Sequence, residues 1–149
     1  MKRSLDLSIA FVLLILISPI LLIISILIKF TSRGPVFFVQ RRIGKDMKEF
    51  DMYKFRTMII NAEKIGTGLF SYQDDPRVTF LGKLLRKLSL DELPQLINII
   101  KGDMSCVGPR PPVTYELGNI KDFPEDLKKR FSVLPGVTGH AQINGRNDL

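Results

Sequence analysis

Leu7 to Ile28 is a run of Leu, Ile, Val, Phe and Ala that carries no charge, and only Ser8, Ser18, Pro19 and Ser25 depart from that set. As a helix its twenty-two residues rise roughly 33 Å, enough to cross a bilayer. Lys2 and Arg3 precede it in the manner of a secretory signal. The run is too long for a signal core, however, and it ends at Ile28-Lys29-Phe30 without small residues for cleavage. Pro19 sits at its centre, where it removes one helical hydrogen bond and crowds the carbonyl four residues back, so a kink is expected, with the Ser18 hydroxyl close enough to serve the freed carbonyl. A kinked spanning helix fits that pattern. The flanks favour another arrangement: Lys2, Arg3, Lys29 and Arg33 put cations at both ends, with no positive-inside asymmetry. A helix that breaks at Ser18-Pro19 and returns to its starting face accounts for this balance. The expectation is therefore a re-entrant helix-break-helix over residues 1–30, followed by one domain over residues 31–149.

Composition narrows what that domain can be. With 149 residues, 45% hydrophobic and 25% charged, the chain is neither a disordered polymer nor a multi-span membrane protein. Its 22 Lys and Arg exceed its 15 Asp and Glu by 7, which calls for an anionic partner: nucleic acid, lipid head groups or a phosphorylated substrate. One cysteine, Cys106, excludes an intramolecular disulfide and a tetracysteine zinc site, and fits a reducing, cytoplasm-facing compartment.

After the apolar run, Arg33-Gly34-Pro35 reads as a turn. Val36–Val39 and Phe50–Arg56 read as strands joined through Gly44-Lys45-Asp46 into a hairpin. Asn61–Ile65 is a helical turn, stopped by Gly66-Thr67-Gly68, and Leu69–Thr79, with Asp74-Asp75-Pro76, is a surface loop. Phe80, Leu81, Leu84, Leu85 and Leu88 form the apolar face of a short basic helix suited to a core or to a membrane surface. Ser89-Leu90-Asp91-Glu92 matches a capping box, but a start at Ser89 would put Pro94 where its missing N–H is needed. A start at Asp91 removes the conflict and runs the helix to a Gly102 stop. Gly108–Pro112 is a rigid loop, Phe123–Phe131 a short helix and Leu134–Arg146 a Gly-rich stretch. The chain stops at Asn147-Asp148-Leu149 with no closing element, as a C-terminally truncated piece would. The architecture expected is α+β: the membrane hairpin, then a small domain of amphipathic interfacial helices and a short β-hairpin.

Most catalytic templates fail. His140 is the only histidine, so zinc clusters and Ser-His or Cys-His pairs have almost nothing to work with. Cys106, between Ser105 and Val107, is better placed as a small buried residue than as a nucleophile. There is no Walker loop or dinucleotide fingerprint, so a phosphate site must be built from side chains and helix ends. What remains is the pair Asp91-Glu92 among Lys54, Arg56, Arg86, Lys87, Arg110 and Arg146. Capping is the common role for such acidic residues. Attack on phosphorus is the other, with cations holding phosphate oxygens and a divalent ion on Asp91 offsetting the repulsion between carboxylate and diphosphate. Spacing leaves both open.

Lys54-Phe55-Arg56-Thr57-Met58, Leu90-Asp91-Glu92-Leu93-Pro94-Gln95-Leu96, Gly102-Asp103-Met104-Ser105, Val107-Gly108-Pro109-Arg110-Pro111 and Pro135-Gly136-Val137-Thr138-Gly139, in this order behind a Ser-Pro-broken apolar start, closely resemble the bacterial sugar transferase family, the monotopic polyprenyl-phosphate phosphoglycosyl transferases. The resemblance implies transfer of a sugar 1-phosphate from a UDP-sugar to polyprenyl (undecaprenyl) phosphate with release of UMP, as a first membrane step in assembling a surface or glycoprotein glycan. It implies an inner-membrane location with the catalytic domain facing the cytoplasm. Nucleic acid is then not a partner, and later glycosyltransferases of the pathway are. Carried over by motif, Asp91 is nucleophile and Mg²⁺ ligand, Glu92 its dyad partner, and Lys54, Arg86 and Arg110 bind phosphate, with Arg146 a further candidate. Arg56 should point with Lys54 along the strand, where a solvated face is an equal alternative. The chain departs from the family at His140, where an aromatic residue often follows Pro-Gly-Val-Thr-Gly, and in lacking some tens of residues that usually follow Gly145-Arg146-Asn147. Two other functions compete: a membrane-anchored basic binding protein, which would tolerate loss of Asp91, and an Asp91-dependent membrane phosphohydrolase, which would release its product to water. Scattered cations and the absence of Trp speak against base stacking.

Overall fold

The computed structural model describes residues 1–66, 72, 74–113 and 128–139. Arg146, His140 and most of the expected 123–131 helix lie outside the described residues. The architecture is α+β, with an N-terminal apolar helix and small sheets. The chain folds as two compact units whose segments alternate in sequence: residues 1–16, 39–53 and 95–149 form one, and residues 17–38 and 54–94 the other.

Helix α1 (Lys2–Thr31) is a single element over the whole apolar run, with Pro19 inside it. Ser18-Pro19 therefore does not divide it into two helices, and any change of direction there is a bend within one helix. Most of its apolar side chains are exposed, among them Phe11, Leu16, Leu22 and Phe30. It is the one helix among the described residues long and apolar enough to cross a membrane.

In the first unit, the start of α1 is held by polar bonds, and Ala10 on it is fully buried. Asp6 is buried and accepts from Ser105 Oγ at 2.8 Å and from the Cys106 amide at 3.1 Å, while Lys2 Nζ donates to the Val107 carbonyl at 3.1 Å. Strands β1 (Phe37–Ile43) and β2 (Glu49–Phe55) make a two-stranded sheet closed by a connection too short for anything but a hairpin. This matches the expected hairpin, with β1 running four residues further than its sequence suggests. Helix α3 (Gln95–Lys101) docks on β2 through Asn98, which is fully buried: its Oδ1 accepts from the Tyr53 amide at 3.0 Å and its Nδ2 donates to the Asp51 carbonyl at 2.7 Å. Strands β3 (Ser105–Val107) and β4 (Gly136–Thr138) pair in parallel, Ser105 with Gly136 and Val107 with Thr138. Neither was expected, since three-residue strands are too short to show a period. The approach is close enough that a side chain at Gly136 would overlap the backbone of Gly108.

In the second unit, the end of α1 supplies Ile24 and Ile28 to a core completed by Phe55 and Leu85, with Leu21, Val36, Leu81 and Leu90 packed around it. Phe37 stacks on Phe55 at 5.5 Å between ring centroids. Helix α2 (Phe80–Lys87) is capped by Thr79, whose hydroxyl accepts from the Gly82 amide at 2.9 Å. Leu85 faces the core, whereas Phe80, Leu84 and Leu88 stay exposed.

Two expectations are corrected here. The stretch after Ser89 is not one helix from Asp91 to Lys101. Ser89 adopts a left-handed conformation with φ 56° and makes no side-chain cap; Leu90–Glu92 forms a single 3₁₀ turn, and α3 starts only after Pro94. Pro94 accounts for the split, because it cannot donate to a helix begun four residues earlier. The second correction concerns the 69–79 loop. Its described end is not superficial: Asp75 and Arg77 are among the most buried charged residues of those described.

Candidate functional site

Lys54, Arg56, Arg86, Asp91 and Glu92 belong to the second unit, and local structure explains their placement. The 3₁₀ turn Leu90–Glu92 points Leu90 at the core and leaves Asp91 8% exposed. Glu92 Oε1 accepts from Lys54 Nζ at 3.0 Å, with side chains only 11% and 15% exposed. Lys54 is the next-to-last residue of β2, so this bond ties the end of the strand to the turn that carries the dyad.

Arg86 arrives from α2, one residue after the core residue Leu85, and is half-buried. Its Nε donates to Thr57 Oγ1 at 2.9 Å. Burial pushes the Arg86 guanidinium below its ordinary pKa, and the carboxylates of Asp91 and then Asp75 pull it back up, while Arg77 opposes. Arg86 and Asp91 thus lie within electrostatic reach.

Arg56 does not join this group. It is buried, and its Nη2 donates to the Ser32 carbonyl at 2.9 Å and to Ser32 Oγ at 2.7 Å, where the chain leaves α1. Its Nε and Nη1 are buried without hydrogen-bond partners, which lowers its pKa by desolvation alone. The solvated face that sequence allowed is ruled out. Lys54 and Arg56 thus have different partners, Glu92 for the first and Ser32 for the second.

Arg110 belongs to the first unit. There its carbonyl accepts from Arg130 Nη2 at 2.7 Å, and with Arg130, Phe131 and Pro111 it borders a shallow depression. Cys106 is partly buried, and its thiol is pushed up, first by burial and then by the Asp6 carboxylate, which is the opposite of what a nucleophilic thiolate requires.

Sequence reading overlooked three residues of the second unit. Thr57, inside a quoted motif but given no role, is 6% exposed and receives Arg86. Asp75 and Arg77 form a buried ion pair, Arg77 Nη2 to Asp75 Oδ2 at 2.7 Å and Nε to Oδ1 at 2.9 Å, while Arg77 Nη1 also donates to the Ala62 and Ile65 carbonyls. The only signal in the sequence was an acid and a base two residues apart around a proline.

Chemically, the dyad supplies hard oxygen donors beside two cations. Among the described residues no cluster of three acidic, His or Cys side chains could by itself cage a metal. That donor set fits Mg²⁺, which binds through one or two carboxylates and completes its shell with substrate phosphates and water.

A family model described as bacterial sugar transferase matches residues 1–149. The chain is 46% identical to the exopolysaccharide production protein ExoY of Sinorhizobium fredii, across 99% of this chain and 70% of that protein. It is 45% identical to the UDP-glucose:undecaprenyl-phosphate glucose-1-phosphate transferase of Escherichia coli, across 97% of this chain and 31% of that one. Against the UDP-N-acetylgalactosamine-undecaprenyl-phosphate N-acetylgalactosaminephosphotransferase of Aeromonas hydrophila, identity is 43% across 95% of this chain and 33% of the relative. The chain thus spans under a third to about 70% of these relatives.

Proposed function

The chain belongs to the bacterial sugar transferase family, and on that premise we propose that it transfers a sugar 1-phosphate from a UDP-sugar to a polyprenyl phosphate at the membrane, through a covalent intermediate on Asp91. The observation that carries this reading is the dyad itself: a largely buried Asp91 within reach of the Arg86 charge, beside a Glu92 that Lys54 holds in place.

Asp91 attacks the β-phosphorus of the UDP-sugar. A bond forms between a carboxylate oxygen and phosphorus, the bond from phosphorus to the bridging oxygen breaks, and UMP leaves with that electron pair. The lipid phosphate then attacks the same phosphorus, and the Asp91 carboxylate is released as leaving group. Arg86 stabilises charge on the phosphoryl oxygens in both steps, as a preorganised cation in a partly desolvated site. Lys54 and Glu92 fix the turn and keep the second carboxylate oriented, where it takes or returns a proton at the departing or arriving phosphate. Asp91 would hold Mg²⁺, which would supply positive charge against the diphosphate. Arg110 is assigned to substrate phosphate by motif.

The relatives' names specify glucose in one case and N-acetylgalactosamine in another at nearly equal identity to this chain. Overall identity to this chain therefore does not single out one sugar.

We read α1 as entering one leaflet and returning, with its bend at Ser18-Pro19. Supporting this, the first turns of α1 are bonded to residues 104–107, and its last turns are packed on Phe55 and Leu85. Cations flank the apolar run at both ends, Lys2 and Arg3 before it and Lys29 and Arg33 after it, without the asymmetry of a spanning helix. The exposed stripe Phe80, Leu84, Leu88 on α2, with Lys83 and Lys87 beside it, suits the head-group region of that leaflet.

The test is UMP release by detergent-purified protein with a panel of UDP-sugars, undecaprenyl phosphate and Mg²⁺, beside Asp91→Asn. Release that requires lipid and Asp91 supports the transferase. Free phosphate or sugar phosphate released without lipid would instead indicate a phosphohydrolase.

A further inference from the structure

Among the described residues that line the depression beside Arg110, two are arginines, Arg110 and Arg130, and none is acidic; all of them belong to the first unit. Neither guanidinium is matched by a carboxylate. The Arg110 side chain makes no hydrogen bond or ion pair with the described residues, and Arg130 makes one hydrogen bond, from Nη2 to the Arg110 carbonyl at 2.7 Å. Other bases of the same unit are paired: Arg41 bonds to Glu49 at 2.9 Å, and Lys101 stands 3.7 Å from Asp103. Two like charges at one opening repel each other, and partial burial of Arg130 adds a desolvation cost that an anion would offset.

Backbone bonds hold this arrangement in place. The Gly108 amide donates to the Thr138 carbonyl at 3.0 Å and the Gly136 amide to the Pro109 carbonyl at 3.0 Å, fastening the start of the 108–112 loop to β4. At the other end of the loop the Ile43 amide donates to the Pro112 carbonyl at 3.1 Å, and Arg42 Nη1 to the Pro111 carbonyl at 2.9 Å. Pro109, Pro111 and Pro112 fix φ between these bonds, so the loop that carries Arg110 needs little ordering when a ligand arrives. Arg130 is fixed as well. Phe131 is buried and anchors the 3₁₀ turn Arg130–Ser132, and the Arg130 guanidinium lies over its ring, 5.7 Å from the centroid. One Nη2 hydrogen is committed to the Arg110 carbonyl, which leaves Nε, Nη1 and the second Nη2 hydrogen for an oxyanion.

We propose that Arg110 and Arg130 form a phosphoryl-binding site, in which the two guanidinium groups share the oxygens of one phosphate group. The depression encloses about 170 Å³, well below the roughly 300 Å³ at which pockets begin to enclose a drug-sized ligand. A larger molecule presents its phosphate here and lies mostly outside. The proposal deepens the transferase reading, which assigns Arg110 by motif and gives Arg130 no role: on that reading the phosphate belongs to the UDP-sugar or to the polyprenyl acceptor.

The experiment is arginine footprinting with phenylglyoxal on the detergent-purified protein, read by peptide mass spectrometry, with inorganic phosphate, UMP or undecaprenyl phosphate as probe. At ten times its Kd, a probe seated in the depression slows modification of Arg110 and Arg130 together by about tenfold through mass action, and leaves Arg41 unchanged. Joint protection by UMP assigns the site to the nucleotide substrate, and joint protection by undecaprenyl phosphate assigns it to the lipid. Joint protection by inorganic phosphate alone upholds the site and counts against the transferase reading only. Protection of neither arginine, or of Arg110 without Arg130, overturns the proposal. Calorimetric titration with the same probes gives a second readout: Arg130→Gln loses about tenfold in affinity, as for a lost charge-assisted hydrogen bond, and Arg130→Lys, which keeps the charge without the fork, recovers part of it. An Arg130→Gln protein with a lowered thermal midpoint and the parent's affinity would make Arg130 a strut under the 108–112 loop, and would overturn the proposal.

Discussion

Lys54 Nζ and Glu92 Oε1 stand 3.0 Å apart with both side chains largely removed from solvent, and this one bond joins the end of β2 to the turn that carries Asp91. A pair this enclosed is costly to half-remove: taking away one partner strands the other charge, at about 3 kcal/mol. Lys54→Met and Glu92→Gln should each lower unfolding free energy by roughly that amount and lose most UMP release. The double variant Lys54→Met/Glu92→Leu should regain most of the stability and none of the activity. Urea unfolding beside the UMP assay separates the two effects. A stable, active double variant would reduce the pair to a strut.

Gly82 makes a second prediction whose sign is not the usual one. Within a helix, alanine is ordinarily favoured over glycine by about 1 kcal/mol. Here the new methyl would meet the carbonyl carbon of Thr57 and the Thr79 hydroxyl at 2.8 Å, besides overlapping the carbonyl oxygen, and these are backbone and cap atoms already bonded to each other. Gly82→Ala should therefore destabilise by about 2 kcal/mol, the scale of overpacking, and should reduce activity through Arg86. A thermal scan that finds the variant more stable than the parent would mean that α2 slides freely on residue 57.

Legibility of the sequence followed the range of the interactions. Long periodic or strongly punctuated features were readable: α1 from its apolar run, the hairpin from its two β-rich runs, α2 from its 3.6-residue spacing. Asp91, Glu92 and Lys54 stand in short motifs, and they fall in one unit together with Arg86. The pairing of Ser105 with Gly136 was hidden because two three-residue strands meet across 31 positions and carry no pattern of their own. The start of α3 was placed at Asp91 because proline is tolerated in a first helical turn; the chain instead makes a separate 3₁₀ turn over Leu90–Glu92 and begins the helix at Gln95. Asp75 and Arg77 read as loop polarity because burial of an ion pair depends on the side chains that pack over it. The burial of Arg56 against Ser32 was not legible, because it depends on a residue 24 positions away.

Cys106 gives a pH prediction. Its thiol is raised above the ordinary range by burial and by the Asp6 carboxylate. The folded protein therefore favours the protonated form, and this contribution to stability is complete below the unfolded thiol's pKa and is lost as pH rises through the higher folded value. Iodoacetamide labelling at pH 7.5 should be slower than for a free cysteine, with its rate still climbing at a pH where a free thiol has levelled off. Asp6→Asn should shift that profile to lower pH. A parent profile matching free cysteine would show that neither burial nor Asp6 acts on the thiol.

The two ends of α1 supply the last prediction. Ser4 and Phe30 are both exposed near opposite ends of one 30-residue helix. A straight spanning helix would put a bilayer's thickness between them, with one on each face. A helix bent at Pro19 within one leaflet puts both on the side of the folded residues that bind Asp6 at one end and Ile28 at the other. In a Cys106→Ser background, Ser4→Cys and Phe30→Cys should both react with a membrane-impermeant maleimide in inverted vesicles, and neither should react in intact cells. Reaction of the two from opposite faces would establish a spanning helix. Replacing Pro19 by Leu should then test the cause: if the ring produces the bend, the straightened helix exposes one of the two cysteines to the outside, whereas unchanged labelling would assign the return to the anchors at Asp6 and Ile28 rather than to the proline.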